Sequence, residues 1–341
     1  MAKELLKGNV ALAEAALRGG CTFYAGYPIT PQTEIMEYLS ERMVELDRSF
    51  IQAENEIAAI NMVLGAAWTG EKSLTSSSGP GISLKQEGIS YMCSHNMACV
   101  ILNVCRWGNG LGSLDSAQTD YNRETRGGGH GDYRCIVMAP ANNQECVDMV
   151  YDAFEVAEEY SNPVVILTEA ALGQMIEGVT LPDFKPVRKI RQIGLFGRAS
   201  KPFSEKYAAH HQRMLNELER WESVYTEEAE YIFVAYGMPS RVVRDVLDKL
   251  RADGEKVGMI RPINLWPFPH KGFAGLDPKA FITVETNETG QMVDDVALAA
   301  KKSGNGLKPV YSLATGFQCA EEEDIITYYE KVKNREVKER Y

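Results

Sequence analysis

The strongest constraint on the fold of this chain is a regular alternation of short apolar runs with longer segments of helical periodicity. Apolar runs lie at residues 21–25, 49–52, 73–77, 99–105, 135–139 and 164–168, and helical patterns at residues 31–46, 56–68, 82–93 and 143–160. Alternation of this kind is typical of βαβ units, whose helices connect the strands of a parallel sheet. The pattern resumes after residue 230. We therefore predict an α/β protein with two domains of mostly parallel sheets flanked by helices.

The length of 341 residues agrees with two domains. We place the first domain at residues 1–180 and the second at residues 230–341. Residues 181–229 have weak periodicity and one polar helix-like stretch, so we predict a connector with some helix of its own. A long glycine-rich segment at residues 106–132 interrupts the first domain, and loops of that length inside a compact domain are usually functional or disordered.

The composition excludes several classes of function. The net charge of -11 argues against nucleic-acid binding, because neutralising phosphates requires a basic surface. The chain has no apolar run long enough to cross a membrane and no signal-peptide core, so we expect no membrane association and a cytoplasmic location. The seven cysteines include no C-x-x-C pair, and the histidines show no metal-ligand spacing. We therefore expect reduced thiols and no metal site on this chain.

A proline-braced corner, YPITP at residues 27–31, joins a predicted strand to a predicted helix. Pro28 and Pro31 fix two backbone φ angles and push the residues before them out of the α region. We predict Thr30 as the helix N-cap and Pro31 as the first helical residue, which is a favoured pairing. The corner is therefore rigid and carries a hydroxyl group at its tip.

Four segments follow the carboxyl ends of predicted strands: the corner, residues 52–56, residues 76–81, and Arg106 with the glycine-rich loop. In open α/β sheets, ligands bind beyond these strand ends. The glycines match neither the dinucleotide-binding fingerprint nor the P-loop. The residues alone thus predict a ligand site without identifying a reaction.

Two side chains are candidates for chemistry, and each has a structural alternative. Glu56 begins the most apolar helical pattern of the chain, which we predict to be a buried helix. Glu54 or Glu56 could equally cap that helix. Arg106 follows an apolar strand and could bind a substrate carboxylate, although a surface salt bridge explains it as well.

Three motifs carry a resemblance to a known family. They are the corner at residues 27–31, the helix start ENEIAA at residues 54–59 and the segment TSSSGPG at residues 75–81. Their order and spacing resemble the α subunit of the thiamine-diphosphate-dependent 2-oxoacid:ferredoxin oxidoreductases. YGMPS at residues 236–240 and VETNETGQ at residues 284–291 extend the resemblance over nearly the whole chain. The glycines at residues 110–112 and 127–132 are closest to the 2-oxoisovalerate, or branched-chain, type.

The resemblance implies a fold and an activity. The first domain resembles the pyrimidine-binding domain of thiamine diphosphate enzymes, and the second resembles the C-terminal domain of transketolase. Such complexes oxidatively decarboxylate a 2-oxoacid, with coenzyme A as cosubstrate, to an acyl-CoA and CO2, and they reduce ferredoxin. We expect branched-chain 2-oxoacids as substrates. The alternatives are 2-oxoglutarate or another 2-oxoacid, or a non-catalytic α/β scaffold subunit.

The resemblance also implies roles for individual residues. The glutamate of the family hydrogen-bonds the aminopyrimidine ring and so activates the cofactor, a role that falls to Glu56 with Glu54 as the fallback. Thr30 is expected to meet the oxo or carboxylate oxygens of the substrate, and Arg106 its carboxylate. The expected cofactor-binding residues are Glu56, Tyr27, Pro28, Ser78, Gly79 and Pro80.

The resemblance further implies that partner subunits supply two functions. The chain contains no Gly-Asp-Gly motif, through which thiamine enzymes hold the diphosphate and Mg²⁺, and it lacks cysteines spaced for a [4Fe-4S] cluster. The expected partners are a thiamine-diphosphate-binding β subunit, a γ subunit and a ferredoxin-like iron–sulfur subunit, with soluble ferredoxin as the electron acceptor. The chain is expected to bind the pyrimidine end of the cofactor and to be inactive alone.

Overall fold

The computed structural model describes residues 3–190, 201–304 and 308–341. The strands are β1 (Glu4–Lys7), β2 (Phe23–Gly26), β3 (Ser49–Gln52), β4 (Ser73–Ser77), β5 (Val100–Cys105), β6 (Ile136–Met138), β7 (Val164–Glu169), β8 (Ile176–Val179), β9 (Trp221–Val224), β10 (Tyr231–Val234), β11 (Val257–Pro262), β12 (Asn264–Trp266), β13 (Ala280–Glu285) and β14 (Val310–Ala314). The helices are α1 (Gly8–Arg18), α2 (Thr33–Glu45), α3 (Glu56–Trp68), α4 (Gly79–Ser94), α5 (Tyr121–Arg126), α6 (Asn143–Glu159), α7 (Ala170–Gln174), α8 (Lys201–Glu217), α9 (Gly237–Ala252), α10 (Val293–Lys302) and α11 (Glu322–Lys333).

Seven strands form the first sheet, in the order β12-β6-β7-β5-β4-β2-β3. Neighbouring strands from β6 to β3 pair in parallel, and β12 runs antiparallel to β6 at one edge. Every residue of β4, β5 and β7 is buried, as expected for parallel strands with both faces covered. Helix α3 packs on β2 and β4, and α6 packs on β5 and β7.

Five strands form the second sheet, in the order β14-β13-β10-β11-β9. All of its pairs are parallel except the antiparallel pair of β11 and β9. Helix α9 packs on β11 and β13, and α11 packs on α9 and β14. The prediction of mostly parallel sheets flanked by helices is therefore confirmed.

The predicted division at residues 180 and 229 stays a prediction, and two unpredicted strands cross it. Strand β9 lies in the predicted connector but pairs with β11 of the second sheet. Strand β12 lies in the predicted second domain but extends the first sheet through β6. Tertiary pairing rather than local periodicity decides the conformation of these two short strands.

Buried apolar side chains form two clusters. The larger one runs from the first sheet to the face of the second sheet that carries α10, so the two sheets share part of one core. The smaller one lies between the second sheet and helices α9 and α11. The seven cysteines are free thiols, and six of them are buried.

The predicted start of helix α2 is wrong. The helix begins at Thr33 with Gln32 at the N-cap, so Thr30 and Pro31 lie outside it. The residues before the helix form a separate turn, in which the backbone N–H of Gln32 donates to the carbonyl of Ile29 at 3.0 Å. The hydroxyl group of Thr30 is therefore not used as a cap.

Two further predictions for the first domain are corrected. Helix α3 is buried on one face only, and Ile57 and Trp68 are 49% and 38% exposed. The glycine-rich segment at residues 106–132 contains helix α5 and is not structureless. Within the described parts of the chain, no helix combines the length and apolarity needed to cross a membrane.

Candidate functional site

The corner at residues 27–31 is held in place by the buried side chain of Gln32. Its Nε2 donates to the carbonyl of Tyr27 at 3.3 Å, and its Oε1 accepts from Ser76 Oγ at 2.5 Å. Ser76 Oγ lies 2.8 Å from the hydroxyl of Tyr24. This chain of hydrogen bonds ties the corner to β4 and β2. We did not predict Gln32, because its role depends on a residue 44 positions away in the sequence.

Glu56 is the buried first residue of α3, with 6% of its surface exposed. Asn55 caps the helix, since its Oδ1 accepts from the backbone N–H of Ala58 at 2.9 Å, and Glu54 is exposed. The capping alternative for the two glutamates is therefore wrong. Among the described residues, the Glu56 carboxylate accepts no hydrogen bond and forms no ion pair. Burying such a group is costly unless a ligand or partner compensates.

Gly81 leaves room for the Glu56 carboxylate at the start of α4. A Cβ atom at Gly81 would lie 2.6 Å from Glu56 Oε1 and 2.3 Å from Ser77 Oγ, closer than real atoms approach. The hydroxyls of Ser77 and Ser78 are buried without a hydrogen-bond partner in the described structure. One carboxylate and two hydroxyls thus keep unused hydrogen-bonding capacity beside the carboxyl end of β4. This set of groups fits a polar heteroaromatic ring.

Residues 78–81 form the turn that leads from β4 into α4. Glu56 lies on one side of this turn, and Arg106, which is 7% exposed, lies on the other side. Its Nη1 donates to the carbonyl of Thr30 at 2.8 Å, and its Nη2 donates to the carbonyl of Leu111 at 2.6 Å. Its buried Nε has no partner in the described structure. A Cβ at Gly79, whose φ is +46°, would lie 3.0 Å from that nitrogen. The surface salt-bridge alternative is wrong, because this guanidinium is buried and bonds to backbone carbonyls.

The structure joins most of the predicted site through residues 78–81. One side of this turn contacts Arg106, which also holds Thr30, and the other side contacts Glu56. Tyr27 and Pro28 are half-buried, and no described contact connects them to Glu56. Their cofactor-binding role stays a prediction, as does that of Pro80. Thr30 is exposed and lines an open cavity of about 490 Å³.

A buried lysine, Lys85, lies on helix α4 one turn after Gly81. Lys85 Nζ donates to Thr75 Oγ1 at 2.7 Å, and Thr75 Oγ1 donates to the carbonyl of Ala25 at 2.7 Å. Burial lowers the pKa of Lys85 to about 7, although the charge of Glu56 opposes that shift. We did not predict this residue, but its position four residues after Gly81 on a core-facing helix could have indicated it.

A second arginine holds the turn that follows β4. Arg123 Nη1 donates to the carbonyl of Gly79 and to Ser83 Oγ, both at 3.0 Å. The guanidinium also forms ion pairs with Asp120 and Glu124. We did not predict Arg123, because it lies on a helix inside the segment expected to be a loop.

Two family models match the chain. Residues 14–245 match the family described as "Pyruvate flavodoxin/ferredoxin oxidoreductase, thiamine diP-bdg", and residues 229–321 match "Pyruvate:ferredoxin oxidoreductase core domain II". The first match covers more than half of the chain. The chain belongs to the 2-oxoacid:ferredoxin oxidoreductase family. The thiamine-diphosphate-binding match contains the whole candidate site of this oxidoreductase subunit.

Two relatives are similar to this oxidoreductase subunit over most of its length. The ketoisovalerate oxidoreductase subunit VorB from Methanothermobacter marburgensis is 43% identical over 323 residues, which cover 88% of this chain and 90% of the relative. The 2-oxoglutarate synthase subunit KorA from Methanocaldococcus jannaschii is 34% identical over 343 residues, which cover 89% and 93%. Both names describe subunits of multi-subunit enzymes.

Solved structures share the fold. The 2-oxoglutarate:ferredoxin oxidoreductase from Magnetococcus marinus, with 2-oxoglutarate, coenzyme A and succinyl-CoA bound, superposes with a TM-score of 0.86 at 25% identity. The superposition covers 97% of this oxidoreductase subunit, which spans 65% of that solved chain. The inactive β4 tetramer of a split-gene transketolase superposes with a TM-score of 0.62 at 14% identity, over 96% of this chain and 97% of the other. The predicted transketolase-like fold is therefore confirmed.

Proposed function

We propose that this subunit supplies the pyrimidine-binding half of a thiamine diphosphate site and that a partner subunit supplies the other half. The observation that carries the proposal is the Glu56 carboxylate, which is buried, free of hydrogen bonds within the described chain, and given space by Gly81. An aminopyrimidine ring offers nitrogen atoms that match this carboxylate and the free hydroxyls of Ser77 and Ser78.

Glu56 acts in this proposal on the ring that it binds. When bound, thiamine diphosphate supplies the nucleophilic carbon and the electron sink for decarboxylation. Glu56 hydrogen-bonds the ring and shares a proton with a ring nitrogen, while the N-terminus of α3 stabilises the carboxylate charge. The ring is expected to lie against five residues of the corner and of the turn after β4: Tyr27, Pro28, Ser78, Gly79 and Pro80.

Thr30 and Arg106 contact the substrate in this proposal. Two guanidinium N–H groups of Arg106 hold the carbonyls of Thr30 and Leu111, and its other donors are available for a carboxylate. The cavity beside Thr30 is lined mostly by apolar surface, although Ser116 and Gln174 also line it, and this surface suits an aliphatic substrate group.

We propose a branched-chain 2-oxoacid as the substrate. The cavity wall supports this choice, as does the 43% identity to a ketoisovalerate oxidoreductase subunit against 34% for a 2-oxoglutarate synthase subunit. The proposed products are an acyl-CoA, CO2 and reduced ferredoxin, with coenzyme A as cosubstrate. 2-Oxoglutarate is the second candidate, since the Magnetococcus neighbour has it bound. A non-catalytic scaffold is the remaining alternative.

Exposed apolar side chains beside the site support a partner subunit. Ile57, next to Glu56 on α3, is 49% exposed, and Leu84, next to Lys85 on the neighbouring α4, is 48% exposed. Surfaces of this kind mark protein–protein contacts. We propose that they face the β subunit, which would hold the diphosphate and Mg²⁺. A γ subunit and a ferredoxin-like subunit with [4Fe-4S] clusters would complete the complex.

Purification of the native complex tests the proposed reaction. The complex is assayed for coenzyme-A-dependent reduction of ferredoxin or a viologen dye with a panel of 2-oxoacids, and the isolated subunit is assayed beside it. We expect turnover by the complex, none by the subunit, and the highest kcat/KM with 2-oxoisovalerate. A higher kcat/KM with 2-oxoglutarate would contradict the substrate, and no turnover with any 2-oxoacid would contradict the reaction.

A further inference from the structure

Lys85 is enclosed in the interior of the first domain, with none of its side chain exposed. In the described structure, its Nζ donates one hydrogen bond, to Thr75 Oγ1. Thr75 Oγ1 in turn donates to the carbonyl of Ala25 in β2. Burying a lysine is costly, and an apolar side chain of similar volume would pack in the same place without that cost. A charged group at this position therefore calls for a reason beyond folding.

Helix α4 brings Lys85 close to Glu56. Gly81 and Lys85 are four residues apart on this helix and so face the same direction. Gly81 lies against the Glu56 carboxylate, because a Cβ there would be 2.6 Å from Oε1. Burial lowers the pKa of Lys85, and the charge of Glu56 opposes this shift. The ammonium and the carboxylate thus stabilise each other's charge inside a poorly solvated interior.

We infer that Lys85 is a positioning residue for Glu56, and that its ammonium supplies the counter-charge that holds the buried carboxylate in place at the edge of the sheet. The inference rests on the proposed role of Glu56 toward the cofactor ring. Lys85 itself contacts neither cofactor nor substrate, and it acts through the carboxylate alone.

The groups around Lys85 make the inference sensitive to pH. Strand β4 contributes the Thr75 hydroxyl, β2 contributes the carbonyl of Ala25, and α3 contributes the Glu56 carboxylate. In the described structure, Glu56 is the charged group whose field acts on Lys85. The amine loses its charge as the pH rises through its pKa of about 7, and Glu56 then loses its counter-charge. Turnover is therefore expected to fall on the alkaline side.

Lys72 offers a matched control at the other end of the same strand. It directly precedes β4 and is 2% exposed, and its Nζ donates to the carbonyl of Gly19 at 3.4 Å. Burial lowers its pKa as it does for Lys85, but Glu56 is not among the charges that act on it. A Lys72→Met substitution thus removes a buried amine from the first domain without touching the site.

The experiment compares assembled complexes that carry Lys85→Met, Thr75→Val or Lys72→Met. Cofactor content is measured, and kcat and KM for 2-oxoacid-dependent dye reduction are followed across neutral pH. Lys85→Met should lower kcat about 10- to 100-fold, keep the cofactor and remove the alkaline fall in kcat. Thr75→Val keeps the amine but removes its acceptor, so the fall should move to lower pH. Lys72→Met should preserve both kcat and the pH profile.

Two outcomes would overturn the inference. One is a Lys85→Met complex with wild-type kcat and pH profile, and the other is an equal loss of kcat in the Lys85→Met and Lys72→Met complexes. A Glu56→Gln complex measured in parallel separates this inference from the proposed function. If Glu56→Gln remains active, the role of Glu56 is wrong. If Glu56→Gln is inactive while Lys85→Met is unaffected, only the role of Lys85 is wrong.

Discussion

Two buried glutamates, one in each half of the molecule, have opposite hydrogen-bonding states. Glu285 ends β13, and its carboxylate accepts from the backbone N–H groups of residues 291–293 and from the side chain of Asn287, at 2.7–3.2 Å. Glu56 accepts no hydrogen bond among the described residues. The hydrogen bonds of Glu285 therefore close the turn before α10, whereas the hydrogen-bonding capacity of Glu56 is unused in the described structure.

A third buried glutamate, Glu169 at the end of β7, has only one of its two carboxylate oxygens hydrogen-bonded in the described structure. Its Oε1 accepts from Gln118 Nε2 and from the backbone N–H of Met238, both at 3.0 Å, so it links the two sheets. Its buried Oε2 has no partner in the described structure. All three glutamates are buried, so burial does not distinguish them, and they differ in how many of their carboxylate hydrogen bonds are made within the described chain.

The sharpest test of this contrast is Glu56→Gln in the assembled complex. We expect kcat to fall about 10²- to 10⁴-fold, because an amide cannot share a proton with the cofactor ring. Since Glu56 makes no hydrogen bond among the described residues, the fall in Tm should be small and should come from the lost charge contact with Lys85. Dye-reduction kinetics and thermal unfolding measure the two effects. Near-normal turnover would contradict the proposed catalytic role of Glu56.

The opposite substitution, Glu285→Ala, should act on stability. It leaves three backbone N–H groups and one amide without their acceptor, so we expect a loss of about 3–5 kcal/mol. Thermal unfolding of the complex should show a lower Tm, with kcat unchanged at temperatures where the complex stays folded. An unchanged Tm would contradict the structural role of Glu285.

Gly81→Ala tests the space that the Glu56 carboxylate needs. The added Cβ would lie 2.6 Å from Glu56 Oε1, so we expect kcat to fall about tenfold as the carboxylate moves. Gly88→Ala on the same helix is the matched control, because the three atoms nearest to its Cβ would all belong to the Ile60 side chain, at 2.7–3.2 Å. Equal kcat values for the two variants would show that the site tolerates displacement of Glu56.

The smallest expected effect concerns Glu169 and pH. Burial raises the pKa of Glu169 from 4.5 to about 7, so the folded protein holds a proton there that the unfolded chain has released. The contribution of Glu169 to stability is therefore present at low pH and is lost as pH rises from about 4.5 to about 7.

Glu169→Gln removes this dependence. Relative to wild type, the variant should gain about 1–3 kcal/mol of stability between the two ends of that pH window. Thermal unfolding at both ends measures the gain. Parallel pH dependence in the two proteins would contradict the raised pKa.

Local sequence pattern predicted the elements around the site well. The bounds of β3, β4 and α3 match their predicted ranges, because apolar periodicity and the Asn55 cap define them locally. The contacts that build the site depend on residues far apart in the sequence, such as Gln32 with Ser76 and Arg106 with Thr30. No local pattern carries these pairings.

The sequence does not reveal the different hydrogen bonding of Glu56 and Glu285, because that bonding too depends on contacts made in the folded chain. Both glutamates lie in motifs that resemble the family, and both lie at an end of a regular element. Only the folded chain shows that Glu285 meets backbone N–H groups while Glu56 meets the bare backbone of Gly81. The resemblance supplies the proposed role of Glu56, and the structure adds that its carboxylate accepts no hydrogen bond among the described residues.

The most direct test of the role of Glu56 is the rate at which bound thiamine diphosphate exchanges its thiazolium C–H hydrogen for deuterium in the assembled complex. This exchange reports activation of the cofactor before any substrate reacts. With cofactor bound, we expect Glu56→Gln to slow the exchange at least about 100-fold and Glu285→Gln to leave it at the wild-type rate. Exchange at the wild-type rate in the Glu56→Gln complex would contradict the central claim.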